Sequence, residues 1–96
     1  MDVRELVWDT NNTEHIARHD VTPAAVEAIV FDPATRWETD DTHRRGRLVG
    51  RGMTTTGRGL VVILEPPSLT GSSYCVTARP MTNRERRAYE EESHDD

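Results

Sequence analysis

Leu60-Val61-Val62-Ile63-Leu64 is the stretch that most limits what this chain can become. Five consecutive apolar residues leave neither face of a strand fit for water, so the strand must lie inside a sheet covered on two sides. Arg47–Thr54 upstream reads as a second strand, and the turn residues of Thr54-Thr55-Thr56-Gly57-Arg58-Gly59 make the two a hairpin. Downstream, Pro66-Pro67 through Gly71-Ser72 is a loop. Ser73–Arg79 then alternates as a strand, with Tyr74, Val76 and Ala78 on one face and Cys75, Thr77 and Arg79 on the other. If the first set packs inward, Arg79 faces a second helix layer or an open groove.

The rest of the chain supplies what covers this sheet. Val3–Trp8 is a short run of strand formers that Asp9 ends, and Asp9 can cap the brief helix expected over Asn11–His19. Asp20 closes that helix, because Asp tolerates the left-handed cap position. Thr22-Pro23 opens a second helix, with Val26, Ile29 and Val30 at helical spacing, and Asp32-Pro33 stops it near Phe31. Arg36–Glu38 forms a short strand before the polar loop Asp40-Asp41-Thr42-His43. Thr82 opens a last helix, and Thr82-Asn83-Arg84-Glu85 reads as a capping box. This order predicts an α+β fold: a small, mostly antiparallel sheet packed with two N-terminal helices and a C-terminal helix. The domain is expected to span residues 1–91, with 92–96 an acidic, solvated and mobile tail.

Composition narrows the function classes. With 96 residues and 34% hydrophobic content the core is thin, which leaves apolar surface for a partner or a second copy to complete. Asp2, Arg4 and Glu5 interrupt the N-terminus, so it fits neither a signal peptide nor a membrane span, and a cytoplasmic protein is expected. Cys75, the single cysteine, excludes an internal disulfide and reads as a small strand residue. A net charge of −5 argues against a nucleic-acid ligand, but the distribution reverses the argument. Between Thr42 and Leu64 the charged residues are Arg44, Arg45, Arg47, Arg51 and Arg58, without a carboxylate among them. All basic residues are arginine, which grips phosphate bidentately, although the absence of lysine reads first as genome composition.

Several side chains are candidates for chemistry, each beside a plainer reading. His15 and His19 lie one helical turn apart, but two ligands do not make a metal site, and no metal or other cofactor is expected. His19 is either a general acid or base for attack by an RNA 2′-hydroxyl or a protonated helix cap. Glycines on both sides of Arg51 let a ligand approach it. Arg51 and Arg79 could clamp a phosphate and offset the charge of a phosphorane, or they are ordinary strand arginines. Glu85 is explained by the capping box alone. Arg86 and Arg87 fall at ion-pair spacing from Glu90 and Glu91, and Tyr89 lies one turn after Glu85.

Taken together, Trp8-Asp9, Arg18-His19 followed by Val21, the Arg-Gly hairpin and Val76-Thr-Ala-Arg-Pro-Met-Thr-Asn-Arg-Glu-Arg-Arg-Ala-Tyr-Glu90 resemble the BrnT family of toxins over nearly the whole chain. The most specific part is Ala78-Arg79, Thr82, Glu85-Arg86 and Tyr89-Glu90 at these spacings. The resemblance implies a RelE-like ribonuclease fold and metal-independent RNA cleavage that inhibits translation. It also implies neutralisation by a BrnA-like antitoxin with a ribbon-helix-helix part, which alone contacts operator DNA. By position it points to Trp8, Arg18, His19, Arg51, Arg79, Glu85, Arg86 and Tyr89. The chain departs from the family pattern at Asn12 and Thr13, where a basic residue is common, at Asp20, where glycine is usual, and in the longer loop of residues 66–73.

Two readings follow. In the first the chain is a toxin endoribonuclease: His19 or Glu85 takes the 2′-hydroxyl proton, Arg51 and Arg79 hold the phosphate, and Tyr89 or Arg86 serves the leaving oxygen. RNA then also meets Trp8, Arg18, Arg44, Arg45, Arg47 and Arg58, and the protein works as a homodimer or a hetero-oligomer with its antitoxin. In the second it is a non-catalytic interaction module, or an inactive toxin homologue in a repressor complex, whose Arg and Tyr residues anchor a protein interface.

Overall fold

The buried strand expected over residues 60–64 does organise the molecule. In a computed structural model, which describes residues 2–40 and 46–94, it is β4 (Gly59–Leu64), with Leu60, Val61, Val62 and Leu64 buried and Ile63 half-buried. The other elements, in chain order, are β1 (Glu5–Val7), α1 (Thr10–Ala17), α2 (Pro23–Val30), β2 (Arg36–Asp40), β3 (Arg47–Met53), β5 (Ser72–Pro80) and α3 (Asn83–His94). The fold is α+β, with one five-stranded sheet in the order β1-β5-β4-β3-β2. All pairings are antiparallel except that of β1 with β5, which is parallel. Among the described residues no helix is long and apolar enough to cross a membrane. α3 runs on to His94, into the segment read from sequence as a tail, and Asp95 and Asp96 lie outside the described residues.

Local signals explain the helices. Asp9 caps α1 in a capping box in which its side chain accepts from the Asn12 amide and the Asn12 side chain accepts from the Asp9 amide. Asn12 is almost fully buried, and its Nδ2 donates to the carbonyls of Val7, at 2.9 Å, and Cys75, at 3.1 Å. One amide thus ties α1 to both strands of the parallel pair. Asp20 does take the left-handed conformation, with φ 59°, while Thr22 caps α2 and Pro23 opens it.

The core lies on one face of the sheet, here the inner face. Ile16 of α1 and Val26, Ile29 and Val30 of α2 pack with Leu60, Val62, Leu64, Cys75 and Ala78. Strand β3 meets them with no side chain at two positions. A Cβ on Gly50 would lie 2.8 Å from the Trp37 ring, and one on Gly52 would lie 2.6 Å from Thr35 Oγ1 and 3.1 Å from Ile29. Thr35 Oγ1 in turn donates to the Ile29 carbonyl at 2.6 Å, holding the end of α2 onto the strand.

Strand β5 departs from its simple alternation. Ile63 pairs with Thr77 and Leu64 with Cys75, so Val76 is an extra residue at a bulge. The bulge reverses the faces: Ser73 and Cys75 point inward before it, Ala78 points inward after it, and Tyr74 does not share the face of Ala78. Burial pushes the Cys75 thiol up to about 12, which keeps it protonated and inert at neutral pH.

Two substitutions test this packing. Gly52→Ala, with no room for its methyl group, is expected to cost about 1–3 kcal/mol through displacement of Thr35 and α2. Asn12→Ala strands the buried Cys75 carbonyl and removes the partner of the Val7 carbonyl and the Asp9 amide, and is expected to cost about 2–3 kcal/mol. Urea unfolding midpoints at an unchanged m-value check both, and a loss below about 0.5 kcal/mol, ordinary for exposed sites, would refute either account.

Candidate functional site

The parity that empties the inner face of β3 sends Arg51 to the outer face. Arg36 pairs with Arg51, Arg51 with Val61, and Val61 with Arg79, so these four residues form one row across β2, β3, β4 and β5. The bulge at Val76 brings Arg79 into that row. Arg51 and Arg79 lie two interstrand spacings apart, roughly 10 Å, within reach of a common anion for side chains as long as arginine. Val61, between them, is only 2% exposed although it points away from the core.

What lies over the row is α3. The expected capping box is present: Glu85 Oε1 accepts from the Thr82 amide at 2.9 Å, and Thr82 Oγ1 accepts from the Glu85 amide at 3.1 Å. Glu85 does more than cap. Its two carboxylate oxygens accept from Arg79 Nη1 and Nη2 at 2.7 and 2.9 Å, a fork-to-fork pair. Hydrogen bonding by Arg79, helped by the Thr82 amide and opposed by partial burial, holds the Glu85 carboxyl down to about 2. Farther along the helix, Arg86 donates to the Gly57 carbonyl in the β3–β4 turn, and Arg36 Nη2 donates to the Glu92 carbonyl at 3.2 Å.

These contacts fix the course of α3. Glu85 stands over β5 and Glu92 over β2, so the helix crosses the outer face along the arginine row. Seven residues of helix rise roughly 10 Å, and three strand spacings cover roughly 14 Å. The extended Arg36 and Arg79 side chains bridge the difference. Tyr89 lies half-buried one turn beyond Glu85. No side chain of α3 from Asn83 to Glu92 is fully buried, and the polar contacts of Glu85, Arg86 and Glu92 hold the helix to the sheet. At its start, Met81 and Met53 fill the space over Gly59, where a Cβ would lie 2.8 Å from the Met81 sulfur.

The structure therefore brings Arg51, Arg79, Glu85, Arg86 and Tyr89 to one side of the sheet. It does not bring His19 there. His19 follows α1 on the inner side, exposed, with its ring 5.8 Å from that of His15. Its carbonyl and that of Asp20 accept from Arg58, which ties the end of α1 to the β3–β4 turn. Arg18, the exposed C-cap of α1, is also on that side. Trp8 packs against the core, and its Nε1 donates to Glu27 at 2.9 Å, joining β1 to α2. Arg47 pairs with Glu65 at 2.7 Å on the outer face, and Arg51 pairs with Glu38 at 2.8 Å. Arg44 and Arg45 lie outside the described residues. Among the described residues no three His, Cys, Asp or Glu side chains converge as metal ligands would.

Sequence reasoning passed over Arg36, Glu38 and Val61. The signal was present in parity: Arg36 and Glu38 alternate with Trp37 and Thr39, so a partly buried Trp37 places both charges outward. Which neighbour they meet depends on register. Chemically, the row offers arginine forks now filled by carboxylate or carbonyl oxygens, and the same forks suit phosphate oxygens. Compared with protein-family models and with curated proteins, the chain matches none.

The depressed Glu85 carboxyl gives a pH prediction. A carboxyl lowered from 4.5 to about 2 contributes its full attachment above about 4.5 and loses it as pH falls toward 2. The Thr82 amide donates directly to that carboxylate, so its NMR shift should stay flat from neutral pH to about 5 and titrate with a midpoint near 2. A midpoint at the ordinary carboxylate value would show that the Arg79–Glu85 fork is not populated in solution.

Proposed function

We propose that the chain is a BrnT-type toxin, a cytoplasmic endoribonuclease with a RelE-like fold that needs no metal and is held in check by a BrnA-like ribbon-helix-helix antitoxin. The observation that carries this reading is the outer-face row: Arg51 and Arg79 flank Val61, and the helix bearing Glu85 and Tyr89 is joined to it by the Arg79–Glu85 pair. These are four of the six residues given a chemical role in the toxin reading, and they come from three separate elements.

In this mechanism the RNA 2′-hydroxyl attacks the adjacent phosphorus, the P–O bond to the departing nucleoside breaks, and a cyclic phosphate and a free hydroxyl result. Arg51 and Arg79 hold the non-bridging oxygens, where charge builds in the transition state. Glu85 is a poor base while Arg79 grips it. When a phosphate takes the Arg79 fork, the Glu85 carboxyl returns toward its ordinary range and can accept the 2′-hydroxyl proton. The Tyr89 phenol then gives a proton to the leaving oxygen. His19, on the inner side, is assigned no step, and Arg86 positions α3 through Gly57. The antitoxin contacts operator DNA, and the toxin joins that complex as a protein partner, in a homodimer or hetero-oligomer.

Production of the chain alone should arrest growth, and the purified protein should cleave RNA in the presence of EDTA. Arg79→Ala should reduce cleavage about 10²–10³-fold, the usual cost of losing one group that stabilises the transition-state charge. Intact RNA and unaffected growth with the wild-type chain would leave the interaction module as the better account. That alternative is favoured by the occupation of Arg51 and Arg79 by the chain's own carboxylates.

A further inference from the structure

We infer that Val49 and Ile63, in the outer-face row beside the arginines, form a floor on which one unpaired base of a single-stranded RNA lies while Arg51 holds its phosphate. The inference rests on the ribonuclease reading for its choice of ligand and deepens it, because it fixes the strandedness of the substrate. Register defines this second row: Glu38 pairs with Val49, Val49 with Ile63, and Ile63 with Thr77. Val49, Ile63 and Thr77 stand two residues along their strands from Arg51, Val61 and Arg79, and so on the same face.

The centre of the row is apolar and accessible. Val49 and Ile63 are half-buried, and neither belongs to the core cluster or to the partly buried side chains packed against it. Within β4 the cover changes over two residues: Val61 is 2% exposed, whereas Ile63, on the same face, is open to water. Helix α3 is fastened to the arginine row through Arg79 and to Gly57, which lies beyond that row on the side away from Ile63. A ligand therefore reaches Val49 and Ile63 with α3 in place.

Three observations select a base as the occupant. Arg51 leans toward this row, its Nη2 donating to Glu38 at 2.8 Å, so an anion that replaces Glu38 is held at the border of the floor. The two rows are roughly 7 Å apart, about the reach from a phosphate across its sugar to its base. The margins of the floor are polar, with Thr77 at one end and the Arg47–Glu65 pair in the row beyond, and they offer donors and acceptors to the edge of a base. A base inside a duplex keeps both faces against its neighbours, so only an unpaired one can lie flat on the strands.

The test uses the full chain and two short fluorescent oligonucleotides of equal length and charge. One is a 2′-O-methyl strand, which has bases and phosphates but no free 2′-hydroxyl, so binding is read apart from cleavage. The other is an abasic phosphodiester strand. Wild type should bind the first about three- to ten-fold more tightly than the second, the return expected from covering a few methyl groups with a base. Ile63→Thr should remove most of that difference by weakening the base-bearing strand alone. Its salt dependence should stay unchanged, because no phosphate contact is lost. Arg51→Gln should weaken both strands and flatten the salt dependence of both.

Equal binding of the two strands by wild type, no binding of either, or an Ile63→Thr variant that weakens both alike overturns the inference. An Ile63→Thr variant that dissolves a dimer in sedimentation and binds both strands as wild type does overturns it too, and assigns the floor to a second copy of the chain. Should Ile63→Thr fail to fold, NMR of the wild type decides. The base-bearing strand must shift the methyl resonances of Ile63 and Val49 and the abasic strand must leave them in place; any other pattern overturns the inference. Unmodified RNA that stays intact while the binding results hold removes the ribonuclease reading and leaves the floor standing. Cleaved RNA with no preference for the base-bearing strand does the reverse.

Discussion

Gly50-Arg51-Gly52 is the constraint on which the rest of the structure depends. The two glycines leave the inner face of β3 bare, and Trp37, Thr35 and Ile29 occupy the space where side chains would otherwise stand. That close approach seats α2 on the sheet and closes a core that a short, sparsely apolar chain can fill. Strand parity then allows Arg51 only one direction, outward. Core closure and cation display are therefore one decision, made by three consecutive residues.

The features legible in the sequence were those settled within a few residues. Leu60–Leu64 declares a central strand by its own composition, Thr22-Pro23 and Asp9 declare helix starts, and Thr82 with Glu85 declares a capping box whose hydrogen bonds are present. What was not legible depends on register between distant strands. The bulge at Val76 arises where β5 meets β4, so no alternation within β5 could report that Cys75 and Ala78 share a face. Arg36 looks like any strand arginine until its pairing with Arg51 is known, and Glu85 satisfies a local motif so completely that its second role, in the Arg79 fork, leaves no separate trace. Asn12 looks like any polar residue of a first helical turn, and its burial between β1 and β5 depends on contacts with the distant Cys75.

On the proposed reading, the outer face poses a problem of competition. The carboxylates on Arg51 and Arg79 belong to the same chain, so their effective concentration at the forks is high, and a single free anion displaces them poorly. A strand with several phosphates engages several forks at once and faces no such handicap. The site discriminates by the spacing of charges along a ligand as much as by charge itself, which suits a polymer substrate better than a metabolite. It also reconciles a net charge of −5 with a nucleic-acid ligand, since the acidity lies elsewhere or is held inside the forks until displaced.

The parallel pairing of β1 with β5 sets the order of events during synthesis. Glu5 pairs with Ser72 and Val7 with Tyr74, and the Asn12 amide completes its bond to the Cys75 carbonyl only when that late strand exists. Hairpin β3–β4 can form as soon as it leaves the ribosome, but the first strand must wait for nearly the whole chain. Until then its apolar residues and the buried side of α1 have no sheet to join. Residues 5–7 and the Asn12 amide therefore find these partners only after the residues of β5 have been made.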